Sequence, residues 1–226
     1  FSVDDLKIEK IFFMRTGQDT SVLVYRHLMG PAVKLVLRPF LSCRDQHKLV
    51  REDPGKFENA IRIEDGSVIC SVEGAQPFYI SPAFSPDSIR DNVKIYKDPS
   101  WYRNLVYAQE EERDLDYRED LFVPCQIVAE LSQDQEVAVV FSTRKEAPID
   151  LGRWIAEEIS IRGRALEKVP FRGAFARRCA LAAGQFIVRS KDGALILRGF
   201  PWHGNSVRES MMSLPGICLA TGKIEE

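Results

Sequence analysis

No apolar run in this sequence approaches the ~20 residues that a membrane-spanning helix needs, so nothing in it calls for a bilayer. A charge excess of one sign is missing as well. The 31 basic and 33 acidic side chains leave a formal net charge of −2, which lacks the electrostatic footprint of a nucleic-acid-binding protein. Cysteine is scarce, and Cys43, Cys70, Cys125, Cys179 and Cys218 are spaced without the CxxC pairs of a zinc site or the even count of a disulfide framework. They read as reduced small hydrophobes, mostly buried. The opening stretch from Phe1 to Asp5 lacks the basic and apolar regions of a signal peptide, and a cytoplasmic protein is expected. There is no internal repeat, no low-complexity segment, and no Gly/Ser linker long enough to isolate one part of the chain. No metal and no organic cofactor is indicated.

What is present is an ordinary globular composition of 226 residues, 45% apolar and 28% charged, enough for one large or two small domains. The first residue is Phe1 rather than methionine, and the last stretch, Leu219 to Glu226, stops directly after a helix-like pattern. A fragment of a longer protein is therefore expected. Residues 6–142 carry short segments rich in Val, Ile, Phe and Tyr, alternating with polar residues and bounded by Gly, Pro, Asp and Asn. That period predicts strands, most clearly at 7–15, 20–27, 33–40, 126–131 and 136–142. Two facing antiparallel sheets are the economical way to bury them.

The pattern changes near Pro148. Asp150 can cap a helix carrying Leu151, Trp154, Ile155 and Ile159 at helical spacing. Phe171, Phe175, Cys179, Ala182, Ala183 and Phe186 predict a second helix with one apolar face. A short strand at 195–197 follows, then a third helix over 206–221, interrupted at Pro215 because proline lacks the amide proton an interior position donates. Charge divides at the same boundary, with net −7 over residues 1–150 and +5 over 151–226, so complementary surfaces can dock.

Three segments hold chemistry. The stretch from Trp101 to Tyr107, followed by the acidic run from Glu110 to Asp120, combines aromatic faces that stack on sugar rings with carboxylates that accept sugar hydroxyls. The other reading is a solvated loop crossing one sheet edge and tied down by Arg–carboxylate pairs. Arg44, Asp45 and His47 lie just past a predicted strand. A single His with one neighbouring Asp supplies neither a nucleophile nor a third metal ligand, so a structural hydrogen-bond cluster is favoured. His27, at a strand end, carries no signal. The densest group is Gly199 to Gly216, where Trp202, Arg208 and Glu209 sit at a strand-to-helix junction beside glycines that allow close backbone approach.

Taken together, these segments resemble one family. The run from Trp202 to Gly216, preceded by Gln185 to Val188 and followed by Thr221 and Gly222, is similar to the entry into the helical domain of amylo-alpha-1,6-glucosidases, the glycogen-debranching enzymes. Their signature reads approximately Gly-Tyr-Pro-Trp-Phe, then Trp-Gly-Arg-Asp-Thr-Met-Ile-Ser-Leu-Pro-Gly. Trp101–Tyr107, Glu112–Asp120, Leu37–Phe40 and Arg44–His47 resemble the β-rich N-terminal domain of the bacterial and archaeal members. Two departures stand out. Ser206-Val207-Arg208-Glu209-Ser210 replaces Trp-Gly-Arg-Asp-Thr, and Asp114 replaces the glycine of an Arg-Gly-Leu-Asp-Tyr pattern.

The resemblance implies a mainly β fold with C-terminal helices. Residues 1–147 would form an antiparallel β-sandwich of the supersandwich kind, 148–168 a linker helix, and 169–226 the first helices of an incomplete (α/α)6 toroid. It implies hydrolysis of α-1,6-glucosidic branch linkages by two carboxyl groups, one protonating the leaving oxygen and one activating water. Glu209 is the catalytic candidate here, and Trp202 and Arg208 are the substrate-binding candidates. The implied partner is a branched α-glucan, glycogen or limit dextrin. Alone the fragment is expected to be inactive, and a homodimer is one way to cover the apolar faces that missing helices would leave open. The alternative is a non-catalytic carbohydrate-binding or interaction module built on the same sandwich.

Overall fold

The computed structural model describes residues 1–45, 48–84, 93–146, 149–190, 193–199, 204 and 206–223. The chain forms two compact units, Phe1–Trp154 and Ile155–Glu226.

In the first unit the strands are β1 (Ser2–Val3), β2 (Leu6–Met14), β3 (Thr20–Met29), β4 (Val33–Leu37), β5 (Ile61–Glu64), β6 (Ser67–Cys70), β7 (Phe78–Phe84), β8 (Val93–Val106), β9 (Arg118–Leu131) and β10 (Glu136–Ser142). Two short helices interrupt them, α1 (Pro54–Phe57) and α2 (Ala108–Glu111). Every strand pairing is antiparallel. A seven-stranded sheet has the order β1-β2-β3-β10-β7-β6-β5, and a three-stranded sheet the order β4-β9-β8. Apolar residues of both sheets share one core, in which Ile80 and Val139 of the larger sheet cluster with Phe122, Cys125 and Ile127 of the smaller. Trp101 sits in that core with its ring 5.2 Å from Phe57 and 5.3 Å from Phe122.

Local chemistry fixes the connections. The β5–β6 hairpin turns at Asp65-Gly66, both with positive φ (49° and 72°), as a two-residue turn that matches the sheet twist requires. Between β3 and β4, Gly30 has φ +108°, and a Cβ there would stand 2.9 Å from the Asp5 carbonyl oxygen, so only glycine fits. His27 is buried and its Nε2 donates to the Pro31 carbonyl at 2.8 Å. Burial pushes the Cys70 and Cys125 thiols up to about 12, and Cys179 is exposed.

The predicted strands are all present, with β4 ending at Leu37 and β9 beginning at Arg118. The segment from Trp101 to Val106 is not a loop. It belongs to β8, a 14-residue strand hidden in the sequence because its pairing shifts between Lys97 and Ser100 and again between Tyr102 and Leu105, and each irregularity breaks the period of two. The expected Arg–carboxylate pairs are nonetheless there. Asp114 adopts φ +57°, the left-handed region that Asp tolerates better than most residues, so the turn is kept without glycine.

Helix α3 (Leu151–Glu167) starts in the first unit. Asp150 caps it, its Oδ1 accepting the Arg153 amide at 2.9 Å. Leu151 and Trp154 are buried, with the Arg15 guanidinium 4.0 Å above the Trp154 ring, whereas Ile159 on the expected face is exposed.

The second unit contains α4 (Ala174–Ala183), a hairpin of β11 (Ile187–Ser190) and β12 (Gly193–Ile196), and α5 (Val207–Leu214). The expected interruption at Pro215 takes the form of a π-helical turn over Pro215–Leu219, in which the Ala220 amide donates to the Pro215 carbonyl at 2.9 Å. Gly222, φ +75°, brings the chain so close to Lys168 that a Cβ would lie 2.7 Å from its carbonyl oxygen.

Candidate functional site

Within the second unit, the end of β12 and the start of α5 enclose a depression of about 240 Å³. Phe186, Ile196 and Ile217 form its apolar lining, and Arg198, Glu209 and Ser210 its polar one. Sequence sets this arrangement. Ser206, in extended backbone (φ −142°), begins the helix by accepting the Ser210 amide on its carbonyl at 2.9 Å, and Glu209 follows in the first turn, where the helix dipole favours a negative charge. The Ser210 hydroxyl donates to the Ile196 carbonyl at 3.4 Å, tying α5 to β12.

The Glu209 carboxylate faces Arg198, with Oε1 3.6 Å from Nη1. The neighbouring Ser206 hydroxyl and the Arg198 charge hold its carboxyl below the ordinary carboxylate range. Its Oε2 is shielded from solvent and makes no hydrogen bond of good geometry, to Ser206 or to any other described residue. Among the described residues lining the depression, Glu209 is the only carboxylate. Arg208, one residue earlier, is exposed and does not line it, since adjacent helical positions point about 100° apart. The cation beside Glu209 is therefore Arg198, which the sequence reading passed over because an Arg and a Glu eleven positions apart give no local signal. Trp202, like His47, lies outside the described residues. At about 240 Å³ the depression is smaller than the ~300–1,000 Å³ that encloses a small ligand.

A second polar constellation lies in the first unit. Glu119 at the start of β9 is 0% exposed. It accepts Arg44 Nε at 2.5 Å and Nη2 at 2.9 Å, the Tyr107 hydroxyl at 2.5 Å, and the Val50 amide at 3.2 Å. Burial works to raise its pKa, but these donors outweigh it and the carboxyl lies below its usual value. Asp120 accepts the amides of Asn104 at 2.8 Å and Glu52 at 3.0 Å, and the Asn104 amide foremost holds its carboxyl low. Arg103 grips Glu52 with two nitrogens. Glu119 and Asp120 are both spent on holding neighbouring segments to the sheet edge, so this cluster is structural. Among the described residues no group of His, Cys, Asp and Glu has the arrangement of a metal site, and no helix is long and apolar enough to cross a membrane.

The architecture is that of an all-antiparallel, two-sheet β domain followed by a short helical segment. The family model described as "Glycogen debranching enzyme N terminal" matches residues 1–138, more than half of the chain, and the chain belongs to that family. Comparison with curated proteins and with solved structures returns no match.

Proposed function

We propose that the chain is the N-terminal part of a cytoplasmic glycoside hydrolase that removes α-1,6-linked glucose at the branch points of glycogen or limit dextrin. In this reading residues 1–147 are the sandwich domain, 148–168 the linker helix, and 169–226 the opening of an (α/α)6 catalytic toroid. The family match over residues 1–138 carries it. Glu209 is one of the two carboxyl groups. Its lowered pKa keeps it ionised at neutral pH, which suits the base that activates water rather than the acid that protonates the leaving oxygen. Arg198 holds the carboxylate from one side, Arg208 is left free to meet substrate, and Trp202 stacks on a glucose ring. The acid comes from the remainder of the toroid, so the isolated chain is inactive, and a homodimer of it covers faces otherwise packed by that remainder.

The test is glucose release from a branched limit dextrin. The full-length protein is expected to release glucose, residues 1–226 alone are not, and Glu209→Gln in the full-length protein is expected to lower kcat by at least a hundredfold. Full-length protein that releases none refutes the reading. The solitary carboxylate of the depression favours a second reading, a non-catalytic carbohydrate-binding or interaction module, and glycogen binding without hydrolysis would select it.

A further inference from the structure

The smaller sheet has an inner face that joins the core and an outer face that does not. Val33, Leu35 and Leu37 of β4 and Val93, Ile95 and Trp101 of β8 pack inward. Alternation then sends Val36, Arg38, Lys94 and Tyr96 outward, and Tyr102 joins them through its contacts with Arg38 and Phe40. On this outer face Tyr96 is 50% exposed and Phe40 47%. The Phe40 ring stands edge-on to Tyr102 at 4.9 Å, and Arg38 Nη1 donates to the Tyr102 hydroxyl at 2.6 Å. Between the two aromatic sites runs β9, whose Gln126 is paired with Tyr96 and donates through its side-chain amide to Asp98.

We propose that this outer face, centred on Tyr96, Phe40 and Tyr102, is a binding surface for a linear α-glucan segment, separate from the residues assigned to hydrolysis. The choice of ligand rests on the debranching reading; the surface does not. Three observations select a neutral polysaccharide. Exposed aromatic rings stand at both ends of the face, and ring faces are what sugar C–H surfaces stack against. The polar groups beside the rings are the Gln126 amide paired with Tyr96, and the Tyr102 phenol and Arg38 guanidinium next to Phe40, each with hydrogen-bonding capacity left for hydroxyls. Tyr96 and Tyr102 pair with Gln126 and Leu121 of β9, five positions apart and thus about 16 Å at ~3.3 Å per residue, which spans several sugar rings. Charges of both signs, Arg38, Lys94 and Asp98, are interspersed, so the face offers no single-sign field for an ionic partner.

The experiment is electrophoresis of residues 1–226 through native gels containing glycogen, with Tyr96→Ala, Phe40→Ala, Tyr96→Phe, and Phe12→Ala as an exposed aromatic of the other sheet. All three positions are exposed, and thermal melts check that each of the four variants folds. Wild type, Tyr96→Phe and Phe12→Ala are expected to be retarded. Tyr96→Ala and Phe40→Ala are each expected to weaken binding about tenfold, as truncating an aromatic anchor does. Lack of retardation of the wild type, or retardation unchanged in both alanine variants, overturns the proposal. In the full-length protein the same two variants should raise KM for glycogen but not for a short branched oligosaccharide. Retardation that is lost in these variants while the full-length protein hydrolyses nothing would sustain the surface and remove the debranching reading.

Discussion

Glu119 carries its charge out of contact with water, and the donors that make this tolerable come from far along the chain: Arg44 by two nitrogens, the Tyr107 hydroxyl and the Val50 amide. Breaking such an arrangement from one side leaves a buried charge unpaired, which costs about 3–5 kcal/mol. Arg44→Ala is therefore expected to destabilise the sandwich by that amount in urea denaturation, whereas breaking an exposed, solvent-screened pair such as Lys145–Asp65 is expected to matter far less. The pH dependence follows from direction. Glu119 and Asp120 both have folded-state pKa values below their unfolded ones, so their contribution is fully present above the ordinary carboxylate range of about 4 and is lost as pH falls through the folded values. Melting temperature should hold between pH 7 and 5 and drop below about pH 4, with a shallower acid-side drop in Glu119→Gln. An equally steep drop in that variant would show that other carboxylates govern acid unfolding. None of this network is legible from the sequence around Glu119, because Arg44 is 75 positions away.

Elements were legible where one face is buried and the pairing is regular. β4 and the start of β2 show in the sequence because apolar and polar residues alternate there, whereas β3 and β10 show as short unbroken apolar runs, Val22–Tyr25 and Val137–Phe141. β8 does not, because two register shifts and an internal Pro99 mix its faces. The α5 region was legible for a different reason: Pro215 has no amide to donate, which ends the regular ladder, and the π-helical turn is how the chain continues. Arg198 beside Glu209 was not legible, since the β12–α5 packing that brings them together is tertiary. After the π turn the chain must close onto the end of α3, and Gly222 makes that possible by its positive φ and its missing Cβ. Gly222→Ala adds left-handed strain and a 2.7 Å contact with the Lys168 carbonyl, expected to cost about 1–3 kcal/mol. Amide exchange over 207–223 should accelerate by roughly ten- to a hundredfold, while exchange in β9 and β10 stays unchanged. Unchanged exchange over 207–223 would mean that this closure does not hold the segment.

The two units bury apolar surface very unequally. In the first, the core is continuous between two sheets, with Phe57, Ile80, Phe122 and Ile127 fully inaccessible. In the second, Ala180 and Cys218 are the buried apolar residues among those described, while Phe175 is 81% exposed and Val207, Met211, Met212 and Leu219 are all exposed. Helices as short as α4 and α5 draw their stability from packing rather than from propensity, so a helical face this open gains little from its apolar residues. Hydrogen exchange at low micromolar concentration is accordingly expected to show α4 opening far more readily than β9 or β10, with free energies well under that of global unfolding. The homodimer reading adds a second, separable expectation. Contact between copies through these faces would raise protection of α4 and α5 with protein concentration, by mass action, and Phe175→Ser would remove that concentration dependence while leaving the sandwich as stable as before. Equal protection of α4 and the β core at low concentration would mean that the second unit is self-sufficient as it stands, and with it would go the reason for expecting further helices, or a second copy, against its open face.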